Sequence, residues 1–123
     1  FTGMEYAAAL SAMQVWRWNV KAAFSGIDVI VHPTTPAVAP TLVDARSTTS
    51  ATRRLAVYLY PWSFAQVPVL SIPSGFAESG MPCGLSLVAP WWREDILFRI
   101  GDAYQRVTDW HLREPAILRD LSL

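Results

Sequence analysis

The chain is short of charge and nearly bare of reactive groups. Charged residues make up 16% of its 123 residues, against roughly 25% in an average soluble domain. Ten basic residues balance ten acidic ones, which leaves no electrostatic footprint for nucleic acid or an anionic membrane. The single cysteine, Cys83, excludes an internal disulfide and a cysteine-built zinc site, and it suits a reducing cytoplasm. No stretch approaches the ~18 apolar residues that span a bilayer, and no signal-peptide pattern is present. Phosphate loops are missing as well, with neither G-x-G-x-x-G nor G-K-[ST] in the sequence.

What the chain does have is apolar bulk. Hydrophobic residues reach 52%, and six of the 123 residues are tryptophan. So apolar a chain is expected to leave surface for something else to cover. With Phe1 where an initiator methionine would stand, the expectation is one piece of a larger protein.

The spacing of apolar residues predicts a first helix over 4–26. Tyr6, Leu10, Met13, Val20 and Phe24 fall at helical steps and Gly26 supplies the stop. Trp16 and Trp18 point to nearly opposite sides of it, so two faces should be covered. "IDVIVHP" reads as a short strand buried on both faces. Pro33 to Thr49 reads as a loop with polyproline character, and "SATRRLAVYLYPWSFAQ" as a helix that Pro61 kinks or ends. "VPVLSIPSGF" and "CGLSLVAP" are two strands joined by the turn "AESGMP". "REDILFRIGDAYQRVTDW" closes the chain as a helix with Ile96, Ile100, Ala103, Tyr104 and Val107 on its apolar stripe. The order is α/β in character, and three strands are better read as part of a larger sheet.

The chemistry-bearing residues form no complete catalytic set. His32 sits where a strand meets a loop, a usual place for functional groups, but no nucleophile or metal partner stands beside it in the sequence. It is read as structural or as lining a pocket. Ser71 and Ser74 lack the strand-to-helix G-x-S-x-G elbow that exposes a nucleophile. Cys83 has no neighbouring cation to activate a thiolate. Lys21 lies mid-helix among alanines and reads as a solvated side chain. Two histidines without carboxylate spacing make no metal site.

The succession "YAAAL", "DVIVHPTTPAVAP", "PWSFAQVPVLSIPSGFAESGMPCGLSLVAP" and "WREDILFRIGDAYQRVTDWH" resembles the C-terminal end of the amidase signature family. Four motifs in the right order cover nearly all of residues 4–115. The resemblance implies the C-terminal part of an α/β/α fold with a mixed central sheet, so that residues 1–123 form the last segment of a single domain. It also implies hydrolysis of a small carboxamide to carboxylate and ammonia or amine by a Ser–cis-Ser–Lys triad. All three triad residues lie upstream of the matched region. None maps onto this chain, which is expected to be inactive alone and to need no cofactor or metal. Thr34 and Thr35 of the family's P-T-x-P loop, with Trp62, are the candidate substrate-pocket residues. The implied partners are the amide substrate and the rest of the amidase domain, without nucleic acid or membrane, in a cytoplasmic parent with room for a homodimer.

The departures from the family pattern carry information. Ser63 replaces the usual Asn, Gln66 the usual Gly, Val69 the usual Ala and Ser86 the usual Gln. Members that bind glutamine within amidotransferases hold the substrate's ammonium with an acidic residue shortly before the position of Pro61. No acid occurs here between Asp44 and Glu78, and an enclosed ammonium wants such a partner. A stand-alone amidase with a less polar substrate, beside Tyr58, Tyr60 and Trp62, is therefore placed ahead of the A subunit of a glutamyl-tRNA amidotransferase. The remaining alternative is a non-catalytic binding or assembly module.

Overall fold

A computed structural model describes residues 1–46 and 53–115. The parts of the predicted loop and second helix that fall on 47–52 lie outside the described residues. The elements run α1 (Gly3–Ala23), β1 (Ile30–Pro33), α2 (Leu42–Arg46), α3 (Tyr60–Ala65), β2 (Val69–Phe76), β3 (Pro82–Val88) and α4 (Glu94–Val107). Short 3-10 turns at Ala56–Tyr58 and Trp110–Leu112 lead into α3 and follow α4.

The three strands form one antiparallel sheet in the order β1-β3-β2. Alternation along the strands sorts side chains to two faces. On one face Ile72 and Leu87 pack with Leu97 of α4, flanked by Leu70, Leu85, Ile96, Ile100 and Tyr104. Gly101 lets α4 come close, since a Cβ there would stand 2.9 Å from the Leu70 side chain. On the other face Val88 packs with Val20 of α1, Ala65 and Val67, flanked by Phe24, Ile30, Trp62 and Trp91. The result is three layers, helix on sheet on helices, as an α/β reading requires.

Local chemistry explains the helix limits. Thr2 and Glu5 close a capping box: Thr2 N–H donates to Glu5 Oε2 at 2.7 Å, and Glu5 N–H donates to Thr2 Oγ1 at 3.2 Å. Hydrogen bonds from Thr2 hold the Glu5 carboxyl below the usual carboxylate range, the larger effect coming from the Thr2 backbone and the smaller from its hydroxyl. The short α3 begins with Pro61 in its first turn and ends at Gln66, whose φ of 60° is left-handed. Its last four carbonyls, orphaned in any helix, are all accounted for. Trp62 and Ser63 carbonyls accept the Gln66 N–H, Phe64 O accepts Arg17 Nε at 3.3 Å and Ala65 O accepts Trp91 Nε1 at 3.1 Å. With Trp16 Nε1 donating to Pro61 O at 2.7 Å, three long side chains clamp α3 in place.

Two expectations change. β1 is not buried on both faces: it is an edge strand, and Val31 is 53% exposed. Val31 shares the α4 face with its register partner Leu87, but it is not among the residues packed there, so that face of β1 stands open. The Pro33–Thr49 loop is interrupted by α2, capped by Thr41, whose hydroxyl accepts the Asp44 N–H at 3.2 Å. The second helix is interrupted where Pro61 was expected to kink or end it, with a 3-10 turn before Leu59 and α3 after it, because Pro61 cannot donate and its ring clashes with a continuous helix. Of α1, Val20 alone is buried, while Tyr6, Leu10, Val15 and Trp18 stand exposed. Trp16 turns toward α3, and Trp18 is left uncovered at 65% exposure.

Candidate functional site

The end of β1, where apolar residues give way to the P-T-T-P loop, gathers the polar side chains of the sheet. His32, Ser86 and Ser71 are register partners on three adjacent strands and share one face. Thr34, two residues on from His32, continues that face. Its N–H donates to Gly84 O at 2.8 Å, which pins the loop to β3. Because Gly84 has no side chain, Thr34 lies across β3 and reaches both neighbours. Thr34 Oγ1 is 2.8 Å from Ser71 Oγ and 2.9 Å from Ser86 Oγ. A Cβ on Gly84 would come within 2.8 Å of Thr34 Oγ1 and 3.1 Å of its Cβ. Ser86 is fully buried, at 0% exposure, while Ser71 is exposed.

His32 is committed at both nitrogens. Trp62 Nε1–H donates to His32 Nε2 at 2.7 Å, so Nε2 presents its lone pair. Nδ1 then carries the hydrogen and donates to Pro33 O at 2.7 Å. An imidazole with this arrangement is the neutral Nδ1–H tautomer. The Trp62 ring stacks on it with centroids 5.7 Å apart, and Tyr58 meets its edge at 6.1 Å. Neither nitrogen is left over to take a proton from a nucleophile, so His32 braces the loop rather than serving as a base.

The three expected pocket residues therefore divide. Thr34 is the junction of the hydroxyl cluster, and Trp62 meets the same sheet face through His32. The Thr35 hydroxyl donates to Ala37 O at 2.7 Å within the loop. The cluster of Thr34, Ser71, Ser86 and Gly84 is not legible from spacing. Its one trace in the sequence is a pair of serines inside otherwise apolar strands. Ser74 donates to Cys83 O at 3.3 Å beside the register shift in the β2–β3 hairpin. Lys21 lies elsewhere, 5.8 Å from the Trp18 ring, in an open depression lined by Gln14, Arg17, Trp18 and Trp91. A second, apolar groove of about 650 Å³ runs between α1 and α3, along Leu10, Met13, Trp16, Tyr60 and Phe64. Among the described residues no group of three or more His, Cys, Asp or Glu is placed to hold a metal. No helix of the described residues is long and apolar enough to cross a membrane.

Comparison with known proteins gives consistent matches. A family model described as Amidase matches residues 1–98. The A subunit of the glutamyl-tRNA(Gln) amidotransferase from Roseiflexus castenholzii (strain DSM 13941 / HLO8) is 41% identical over 115 residues, taking in 94% of this chain and 23% of that protein. Its counterpart from Pseudomonas putida (strain W619) is 38% identical over 110 residues, 89% of this chain and 23% of that one. Among solved structures, 6-aminohexanoate cyclic dimer hydrolase superposes with a TM-score of 0.83 and 25% identity, over 95% of this chain and 27% of that chain. A crystal structure of an amidase gives a TM-score of 0.72 and 25% identity, over 82% of this chain and 24% of its own. The chain thus spans about a quarter of the length of the relatives it matches.

Proposed function

The chain belongs to the amidase signature family, and on that footing we propose that the protein carrying it hydrolyses a small carboxamide to carboxylate and ammonia or amine. Residues 1–123 are then the C-terminal segment of a single amidase domain. The Ser–cis-Ser–Lys triad belongs to residues outside this stretch, and the stretch alone is inactive. The observation that carries the reading is the lip itself. Thr34 is held rigidly over β3 by Gly84 O, Ser71 and Ser86, while His32, the one imidazole nearby, has no nitrogen free for catalysis. A rigid polar lip without a base fits a pocket wall whose reacting groups come from elsewhere.

Substrate class follows from the surroundings. Tyr58 and Trp62 meet His32 beside the lip, Tyr60 lies between them in sequence, and no acid occurs between Asp44 and Glu78. That composition suits an aliphatic or aromatic amide rather than one bearing an ammonium. Higher sequence identity to the A subunits of amidotransferases than to the hydrolase favours a second reading, a segment of one of those proteins. The amidase reading leaves room for a homodimeric parent, the second calls for the other amidotransferase components, and both suit a cytoplasmic protein.

The deciding experiment assays the full-length protein and the 123-residue chain against simple aliphatic and aromatic amides. The same preparations are assayed against glutamine, with and without charged tRNA and the other amidotransferase components. Turnover of simple amides by the full-length protein alone is the expected result. Glutamine hydrolysis that depends on those components would transfer the assignment to the amidotransferase. Turnover by the 123 residues alone would refute a triad supplied from outside them.

A further inference from the structure

His32 joins two parts of the chain that lie far apart in sequence. It stands in β1 at the root of the Pro33–Pro36 lip, and Trp62 of α3 donates its indole N–H to His32 Nε2 at 2.7 Å. The two ends of this bond are held differently. Trp62 is seated against the buried cluster of Val20, Ala65, Val67 and Val88, and its carbonyl accepts the Gln66 N–H that ends α3. β1 is only four residues long. Past His32, the bond from Thr34 N–H to Gly84 O at 2.8 Å ties the lip to β3.

The link between them exists in one protonation state of the ring. Nδ1–H donates to Pro33 O at 2.7 Å, so Nε2 holds the lone pair that Trp62 needs. A second proton has one place to go, Nε2, and there it would set an N–H against the Trp62 N–H. Donor would face donor, and the indole would lose its acceptor. Both nitrogens are committed within this chain, so that choice of atom does not depend on what the rest of a longer protein packs nearby. The groups facing the ring are Trp62, Tyr58 of the 3-10 turn and Ser86, its register partner on β3. Of these Tyr58 alone is titratable. Among the described residues His32 forms no ion pair, so no carboxylate compensates for the lost bond.

We propose that the Trp62–His32 bond is a pH-operated latch on the Pro33–Pro36 lip, fastened while the imidazole is neutral and released when it gains a proton. The lip is then held at about pH 8 and freed toward about pH 5, the span over which imidazoles change charge. Trp62 keeps its seat in the core, so the His32 ring and the lip are the parts that move. The latch goes beyond the amidase reading and does not depend on it.

The test titrates the full-length protein, its tryptophan indoles labelled with nitrogen-15, from about pH 8 to about pH 5. The Trp62 signal is identified by its absence from W62F. It should start downfield, as an indole N–H bonded to nitrogen, and move upfield in one step. The Trp91 indole, bonded to Ala65 O, reports general acid unfolding and should stay fixed. Hydrogen exchange gives a second reading. Protection of the Thr34 amide, normalised to free-chain rates at each pH, should fall about three- to tenfold, the loss of one neutral hydrogen bond. In His32→Gln, which does not titrate, both readings should stay level. A Trp62 signal that holds steady across the span overturns the latch, as does an equal movement at Trp91 or the same pH response in His32→Gln. Should His32→Gln not fold, W62F replaces it. With no bond to break, its Thr34 protection should be low at both ends, and an undiminished acid loss overturns the latch. Neither reading uses amide turnover, so the latch and the amidase reading stand or fall separately.

Discussion

Replacing Gly84 with alanine adds one methyl group at the point where Thr34 crosses β3. The new Cβ would lie 2.8 Å from Thr34 Oγ1, 3.1 Å from Thr34 Cβ and 3.4 Å from Ser71 Oγ. The first distance is shorter than real Cβ contacts, and the second involves a β-branched atom next to the backbone. Thr34 cannot rotate out of the way without breaking its bonds to Ser71 and Ser86. Loss of those bonds leaves the buried Ser86 hydroxyl unpaired, about 1–3 kcal/mol, and overpacking adds about 1–3 kcal/mol. Alanine restricts the unfolded chain and returns about 0.4–1 kcal/mol. The expected net destabilisation is about 1–5 kcal/mol, with the lower half favoured if β3 shifts slightly. Urea unfolding of the full-length protein reads the total, and amide exchange at Thr34, whose N–H binds Gly84 O, reads the local effect. The sharper measurement is the double-mutant cycle with Thr34→Ala. That change removes the clashing hydroxyl and the bonds together, so the two substitutions should fall short of additivity by about 1–2 kcal/mol. Additive effects, or a neutral G84A, would refute the account of Gly84 as the floor of the hydroxyl cluster.

Three further outcomes are expected. Trp62→Phe keeps a ring on His32 but deletes the donor to Nε2; it should cost about 0.5–1.5 kcal/mol and speed exchange of the Thr34 and Thr35 amides, seen by hydrogen-exchange mass spectrometry. Gln66→Gly relieves a left-handed φ of 60° and should raise stability by about 0.5–1 kcal/mol, the strain released less the entropy returned to the unfolded chain; a loss of stability in urea melts would contradict the cap assignment. Glu5 has its folded pKa lowered by Thr2, so its contribution is present above the unfolded carboxylate value and is lost as pH falls through the lowered one. Protection of the Glu5 and Tyr6 amides, measured against free-chain exchange rates at each pH, should fall in that acid range in wild type, and in Glu5→Ala, which cannot close the capping box, it should be low already at neutral pH.

The elements were legible where one local signal decided them. α1, the β2–β3 hairpin and α4 follow from periodicity, glycine and turn residues, and they appear within a few residues of their expected limits. Gly101 escaped the expected stripe of α4 because the helix meets β2 through a glycine, and a glycine carries no hydrophobic signal. The hydroxyl cluster was hidden for a different reason. Thr34, Ser71 and Ser86 lie far apart in sequence, and they meet only because β3 sits between β1 and β2. Strand order is set by which edges pair, a tertiary choice that no single segment encodes. Thr34 and Trp62 could be named from a family motif, but the turn of Thr35 toward Ala37 O depends on loop geometry.

That strand order also has a consequence in time. β2 and β3 are joined by a short turn and can zip on the microsecond scale of a hairpin, ~1–10 μs. β1 must find the far edge of β3 across the whole chain between Pro33 and Pro82, a long loop closed late. In the interval the hairpin offers the backbone of Gly84, Ser86 and Val88 as an unpaired edge. Another copy of the hairpin fits that edge as well as β1 does. The vulnerable moment for this sequence is therefore early in folding and grows with concentration, and whatever hastens the arrival of β1 protects the chain from itself.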